Sequence, residues 1–251
     1  MKSKYEVPSL KLAFDMMEML SRKPKGCLLT EISEKLQCPV SSAYRMSMAL
    51  EEMALVSRES DTKILRLTNK LLDIGQRAVT ENNLIENALD IMRQLRDEVS
   101  DTVLIGVRDD TEIVVLDEAL GTRMFAFISK LGYRIGVSCS APGKAVLAFL
   151  PESEREAVIG RVKFVKYNDR TLMDPETLRK ELAKIAKQGF AFDNAEQFEG
   201  VYCVGAPVLD RSGYPVAAVW TTGLMMDVKR RDVPALGAKV AAAAKRISER
   251  L

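Results

Sequence analysis

The chain contains no histidine. That removes every Ser-His-Asp triad and Cys-His dyad, and with them the commonest metal ligand and general base. Catalysis would have to run on lysine, tyrosine or carboxylates alone, and no catalytic residue is assigned. Cysteine is scarce. Cys27, Cys38, Cys139 and Cys203 stand far apart without a CxxC pair, so no structural zinc site or thioredoxin-type motif is expected. Free buried thiols are the simpler expectation. Long apolar runs are missing too: nothing approaches the roughly 18 residues of a membrane span. Residues 1–6 are polar, and Lys11, Asp15 and Glu18 interrupt the apolar positions that follow, which is not a secretory signal pattern. The expected compartment is the cytoplasm, with no membrane partner.

What remains is an ordinary globular composition, 47% hydrophobic and 29% charged, in 251 residues that can fill one large domain or two modest ones. The net charge of +2 is uneven. Residues 1–80 hold 13 Lys and Arg against 10 Asp and Glu, and the remainder 24 against 25. A mildly basic N-terminal third suits nucleic acid, but only weakly.

The order of elements says more. A first helix is expected from Ser9, as cap, to Ser21, with Leu10, Ala13, Phe14, Met17 and Leu20 at helical spacing. A short second helix is expected to start at Thr30. After a turn at Gln37-Cys38, a third runs from Pro39 to Ala54 with Ala43, Met46, Leu50 and Met53 inward. Two short helices joined by a tight turn make a helix-turn-helix, whose second helix reads the major groove. Its free face carries Ser41, Arg45, Met48 and Glu52 with Tyr44 beside it, and Ser41, Ser42, Tyr44 and Arg45 lie at the helix N-terminus, suited to phosphates and base edges. Residues 56–59 and 64–67 read as a hairpin, or wing, where Arg58, Lys63 and Arg66 are expected to meet phosphates.

A linker helix is expected over residues 68–83, with Leu71, Leu72, Ile74 and Ala78 as a face that pairs between chains. From residue 84 a second domain begins with another helix. Strands are expected at 103–107, 113–116, 125–128, 201–209 and 215–222, and helices at 142–150, 152–160 and 175–188. A last helix is expected to be capped by Asp232. Hairpins at both ends with helices between them imply an antiparallel α+β domain. Two motifs are set aside. Residues 138–145 lack the first glycine and the Ser/Thr of a P-loop. Ser140 and Lys144, four apart, could form a nucleophilic dyad, but no other acyl-transfer feature accompanies them.

Three stretches carry a resemblance. They are Val7-Pro8-Ser9-Leu10 with Ser41-Ser42-Ala43-Tyr44-Arg45, then the run from Ser140 to Ala148, and then Gly189-Phe190 through Asp193, Glu199-Gly200-Val201, Cys203 and Ala206-Pro207-Val208 to Gly223. In them the chain resembles the IclR family of bacterial transcription regulators nearly end to end. The resemblance implies a two-domain α/β protein: a winged helix-turn-helix over 1–67, the linker over 68–83 and a GAF-like effector-binding α+β domain over 84–251. It implies a homodimer or homotetramer on a palindromic double-stranded DNA operator, a small-molecule effector and no cofactor or metal. The pocket it implies has an apolar wall of Met124, Phe127, Ile135 and Val201. Its polar end would be Ala141, Pro142, Asp193, Cys203, Trp220 and Thr222. Ser138 stands where many members carry histidine, and Trp220 where a small or hydroxyl residue is common. A hydroxylated organic acid is the expected effector, its carboxylate at the helix N-terminus after Ser140 and its hydroxyl on Asp193. Two other readings stay open: a thiol-based redox regulator using Cys139 and Cys203, and an enzyme acting on a small acid through Asp193 and Lys144.

Overall fold

The computed structural model describes residues 7–80 and 84–251, and all their side chains except those of 76–80. The chain divides into two compact units, residues 1–81 and 82–251.

The first unit opens with α1 (Pro8–Ser21), α2 (Leu29–Lys35) and α3 (Val40–Glu52). None has a side-chain cap bond, so the Ser9 cap read from the sequence does not form. Pro8 is itself the first helical residue and holds Val7 extended, so Ser9 already lies inside α1. Leu28 rather than Thr30 occupies the position before α2. Pro39 precedes α3 instead of opening it, and Ala54 lies past its end at φ 57°. The inward faces also shift. Met16 is fully buried and Leu10 and Phe14 are exposed; α3 buries Ala43, Ser47 and Leu50 and leaves Met53 outside. Met16, Ala43 and Leu50 close a core with Leu20, Cys27, Ile32, Val56 and Leu65.

Strands β1 (Val56–Arg58) and β2 (Leu65–Leu67) pair antiparallel as the wing, with Val56 opposite Leu67. The segment before α2 joins them through Cys27 and Leu65, whose backbone groups exchange bonds of 3.1 and 2.9 Å. Gly26 makes this possible: at φ 75°, an added Cβ would sit 2.4 Å from the Leu65 carbonyl oxygen. Helix α4 (Lys70–Thr80) ends the unit. Leu71 packs against its core, Leu72 and Ile74 are exposed, and the Ala78 side chain lies outside the described residues.

The second unit begins with α5 (Leu84–Val99) and the hairpin β3 (Thr102–Asp109) and β4 (Glu112–Ala119). Then come β5 (Arg134–Gly136), α6 (Ala141–Phe149), α7 (Glu152–Ile159) and α8 (Pro175–Gln188). It ends with β6 (Ala191–Asp193), β7 (Val201–Leu209), β8 (Pro215–Leu224) and α9 (Val233–Ser248). The six strands form one antiparallel sheet in the order β5-β4-β3-β8-β7-β6. Alternation along each strand feeds two cores. Val103, Ile105, Val204 and Val219 pack with α5 and α9; Leu104, Ile113, Ala218 and Trp220 pack with α6 and α8. Both faces are covered, which is why residues 102–106 are all buried.

The strand expected at 125–128 does not form. That stretch belongs to an irregular crossing, residues 120–133, and β5 takes the edge position, with Ile135 opposite Ile113. Asp232 precedes α9 without a side-chain cap bond. At α6 the cap is real: the Ser140 hydroxyl accepts from the Gly143 N–H at 3.3 Å. Gly143 lies so close to the preceding loop that a Cβ there would stand 2.3 Å from the Val137 Cα. Among the described residues no helix is long and apolar enough to cross a membrane.

Candidate functional site

In the first unit, the tight turn between α2 and α3 sets up the reading face. Gln37 takes φ 51°, Cys38 donates its N–H to Ser33 O at 3.1 Å, and the Ser33 hydroxyl returns a 2.7 Å bond to Cys38 O. Ser41, Tyr44, Arg45 and Met48 then lie exposed on α3, with Ser42 half-buried beside them. Arg45 has no partner among the described residues, so its guanidinium is available to an acceptor outside the chain.

The wing cations are not equivalent. Arg58 is mostly buried: its Nε donates to Glu51 at 2.7 Å, its Nη2 donates to Ser47 Oγ at 2.7 Å, and its guanidinium lies 5.6 Å from the Tyr44 ring centre. It braces the wing on α3, which corrects the expectation of a free phosphate contact. Arg66 donates to Lys25 O at 3.1 Å and faces Glu59 at 3.6 Å. Lys63, at φ 58° in the wing turn, stands exposed.

In the second unit, a narrow slot lies between the sheet, the start of α6 and the 120–133 crossing. Its side chains stand so close that only about 30 Å³ admits the centre of a water molecule. Eight expected pocket residues meet here: Phe127, Ile135, Pro142, Asp193, Val201, Cys203, Trp220 and Thr222. Two do not. Met124 points into solvent, and Ala141 is buried behind Pro142, near enough to Gly205 that a Cβ on that glycine would meet its carbonyl carbon at 3.0 Å. The sequence reading missed Leu104, Ser129, Tyr133, Ser140, Gln197 and Phe198, which also line it. Ser129 and Tyr133 lie in or beside the crossing that read as a strand. Gln197 and Phe198 lie in the irregular turn between β6 and β7, which carries no periodic signal.

The polar end is a buried charge cluster. Lys144, wholly inaccessible, reaches from α6 to donate to a Glu196 carboxylate oxygen and, at 3.2 Å, to Phe192 O. Asp193, buried at the end of β6, accepts the Glu196 N–H at 2.8 Å. Glu196 Oε2 has no partner among the described residues. One cation thus serves two carboxylates. Glu196 holds the direct contact with Lys144, and burial raises both carboxyls. Burial, reinforced by the Glu196 charge and opposed by Lys144, pushes the Asp193 carboxyl up to about 7.

The polar groups at this end pair largely with one another. The Thr222 hydroxyl meets the Cys203 thiol at 3.2 Å. The Gly143 N–H is taken by Ser140 and Pro142 has none, so the α6 terminus keeps few donors for a carboxylate. Ser140 donates to Gly136 O at 2.8 Å, while the Lys144 ammonium is committed to Glu196, so the Ser-Lys dyad does not form. Burial pushes the Cys139 thiol up to about 12 and raises that of Cys203. Protonated buried thiols are poor nucleophiles, which weighs against the redox reading.

Comparison with known proteins accounts for both regions. The family described as "Bacterial transcriptional regulator IclR C-terminal" matches residues 76–249, and the "IclR helix-turn-helix domain" matches residues 9–60. The regulator KdgR of Escherichia coli K12 is 29% identical over 216 residues, 85% of this chain and 81% of its own. The crystal structure of Thermotoga maritima IclR superposes with a TM-score of 0.81 at 31% identity, covering 96% of this chain and 97% of that one. An IclR homologue from Microbacterium hydrocarbonoxydans, complexed with 4-hydroxybenzoate, gives 0.82 at 19% identity over 97% and 98% of the two chains, a likeness of fold. A reading helix and wing in one unit and a polar-ended cavity in the other are what such a regulator requires, and the chain belongs to the IclR family of DNA-binding transcription regulators, not to an enzyme family.

Proposed function

We propose that this regulator binds a pseudo-palindromic operator in the cytoplasm as a homodimer or homotetramer, and that a small hydroxylated organic acid in the cavity of the second unit gates that binding. The observation that carries the effector reading is the cavity itself. Phe127, Ile135, Val201 and Trp220 form apolar walls, while Ser129, Tyr133, Gln197, Asp193 and Thr222 converge from several elements. The narrow slot favours a small ligand over a large aromatic one and requires side chains to part on binding. With its carboxyl pushed up to about 7 by burial, Asp193 can accept from a ligand hydroxyl or, protonated, donate to a ligand carboxylate. The 4-hydroxybenzoate held by the Microbacterium homologue is also a hydroxylated acid, which supports the ligand class. For the DNA, two reading heads on a two-fold axis demand a two-fold site.

A thermal-shift panel of glycolate, lactate, glycerate, gluconate and large apolar aromatics, with wild type and Asp193→Ala, tests the effector reading. Stabilisation of the wild type by hydroxy acids, reduced in the variant, is expected. Stabilisation by the large aromatics alone would overturn it, and equal stabilisation of both proteins would remove Asp193 from the site.

A further inference from the structure

The polar end of the slot sets two carboxylates against one cation. Lys144 reaches Glu196 and Phe192 O from α6, is wholly inaccessible and does not line the slot. Asp193 lines it and Glu196 does not. Asp193 Oδ1 accepts the Glu196 N–H, and Oδ2 has no hydrogen-bond partner among the described residues. With both carboxyls ionised, one negative charge is left over, and it faces the slot through Asp193.

The other elements around Asp193 supply nothing to cancel that charge. Among the described residues no lysine or arginine lines the slot. Cys203 stands opposite Asp193 on β7, its thiol paired with Thr222 of β8. The Cys139 thiol, before α6, is pushed up to about 12 by burial and stays protonated, and the Ser140 hydroxyl is spent on Gly136 O. Glu181 on α8 adds a further negative charge near Glu196. The 120–133 crossing and its end bring the Ser129 and Tyr133 hydroxyls, and the turn before β7 brings the Gln197 amide. These neutral groups can donate to a carboxylate but leave its charge in place.

An acid entering as its anion would set a second uncompensated charge beside ionised Asp193, in a slot that nearly excludes water, where like charges repel most strongly. One proton removes the conflict. Protonated Asp193 becomes an O–H donor, and its Oδ2 can hydrogen-bond the incoming carboxylate, as two crowded carboxyls share a proton elsewhere. The site then carries the same net charge filled as it does empty and ionised. Burial already brings the Asp193 carboxyl up to about 7, so the proton is available near neutral pH, and an anion beside it raises the carboxyl further.

We infer that the acid enters this slot together with one proton, held between Asp193 Oδ2 and the acid's carboxylate, which rests on the slot being the effector site for a small acid. Effector and proton are thus sensed as one ligand. Only protonated Asp193 takes the anion, so affinity is full below about pH 6 and falls as pH rises through 7. Above about pH 8 the fall approaches tenfold per pH unit. A neutral ligand of the same shape needs no proton and binds equally well across that range.

The test is isothermal titration calorimetry of the full chain with glycolate, lactate, glycerate and gluconate, and with the neutral amides of the same acids. Titrations run across the pH range from 6 to 9, with far-ultraviolet circular dichroism to confirm the fold at each pH. At pH 8 they are repeated in HEPES and in Tris, whose different ionisation heats count the protons exchanged. For an acid that binds, uptake of close to one proton at pH 8 is expected, with affinity falling nearly tenfold between pH 8 and 9. Its amide should take up none and show a flat profile, and Asp193→Asn should bind the acid with neither uptake nor slope. Acid binding without proton uptake and with a flat profile would overturn the inference and leave the effector reading intact. Undiminished uptake in Asp193→Asn would overturn the assignment of the proton to Asp193. Failure of all four acids to bind even at pH 6 would overturn the effector reading, and this inference with it. If the variant misfolds, the contrast between acid and amide on the wild type decides alone.

Discussion

At the residue scale the decisive group is Asp193. It sits beside a committed ion pair, so its ionised form adds an uncompensated buried charge. Its carboxyl is raised in the folded state, from an unfolded value of 3.8 to about 7. The folded protein therefore holds the extra proton between those values. The stability linked to it is complete below about pH 4 and is lost as pH rises through 7. Three pH units correspond to an upper figure of about 4 kcal/mol. Asp193→Asn should flatten the fall in melting temperature between pH 4 and 8 relative to wild type. Parallel curves for the two proteins would show that Asp193 titrates normally. A second contrast separates two arginines. Arg45, without a partner among the described residues, should cost operator binding ~1–3 kcal/mol as Arg45→Ala if it reads a base, with little change in stability. Operator affinity measured by gel shift should fall, and wild-type affinity would mean that the docking face is wrong.

Asp193 was legible as a polar pocket residue, but its charge cluster was not. Lys144 entered only as a possible partner of Ser140 or of Asp193 in an enzyme, and Glu196 carried no signal at all. Their meeting depends on α6 crossing β6, which no local pattern encodes. Met124 fails for the same reason. Apolar alternation through residues 125–128 resembled a strand, whereas the chain there is pinned by Arg123 and Thr102 and turns Met124 outward.

At the scale of elements, the types and order of α1–α3, the wing and the outer hairpins could be read because their hydrophobic periods are strong. Their ends could not: Pro8 sets the start assigned to Ser9, α2 begins at Leu29 ahead of Thr30, and Pro39 precedes α3 instead of opening it. The wing offers a direct test of local bracing. Arg58→Ala removes two charge-assisted bonds and strands the partly buried Glu51, so it should destabilise the first unit by about 1–3 kcal/mol in urea unfolding. Lys63→Ala should leave stability unchanged and reduce the slope of log affinity against log salt by about 1. An Arg58 variant as stable as wild type would mean that the brace contributes nothing. At α6, Gly143→Ala would drive a methyl into the Val137 backbone. A loss of about 3 kcal/mol is expected, read as a fall of roughly 6–12 °C in melting temperature. A variant that melts with wild type would show that the α6 approach is looser than described.

At the scale of the whole molecule, the two-fold reading rests on apolar surface left on the first unit. Val7, Leu10 and Phe14 on and before α1, and Leu72 and Ile74 on α4, are exposed. Leu71 is not available, because it packs on the core of its own unit. A protein this small does not usually leave so many large apolar side chains in water without a partner. A monodisperse monomer in light scattering at micromolar concentration would contradict the assembly on which a palindromic site depends.

The central claim is that the acid in one unit controls the DNA held by the other. It is tested most directly by fluorescence anisotropy of the full chain on labelled DNA from its own upstream region, against a scrambled duplex of equal length. The duplexes are titrated at fixed salt with the hydroxy acid that stabilises the protein most in the thermal-shift panel. The account predicts that the upstream DNA is preferred, that the acid shifts its binding midpoint by tenfold or more, and that Asp193→Ala weakens this response while retaining DNA binding. Equal affinity for both duplexes, or a midpoint indifferent to an acid that demonstrably binds, would contradict it.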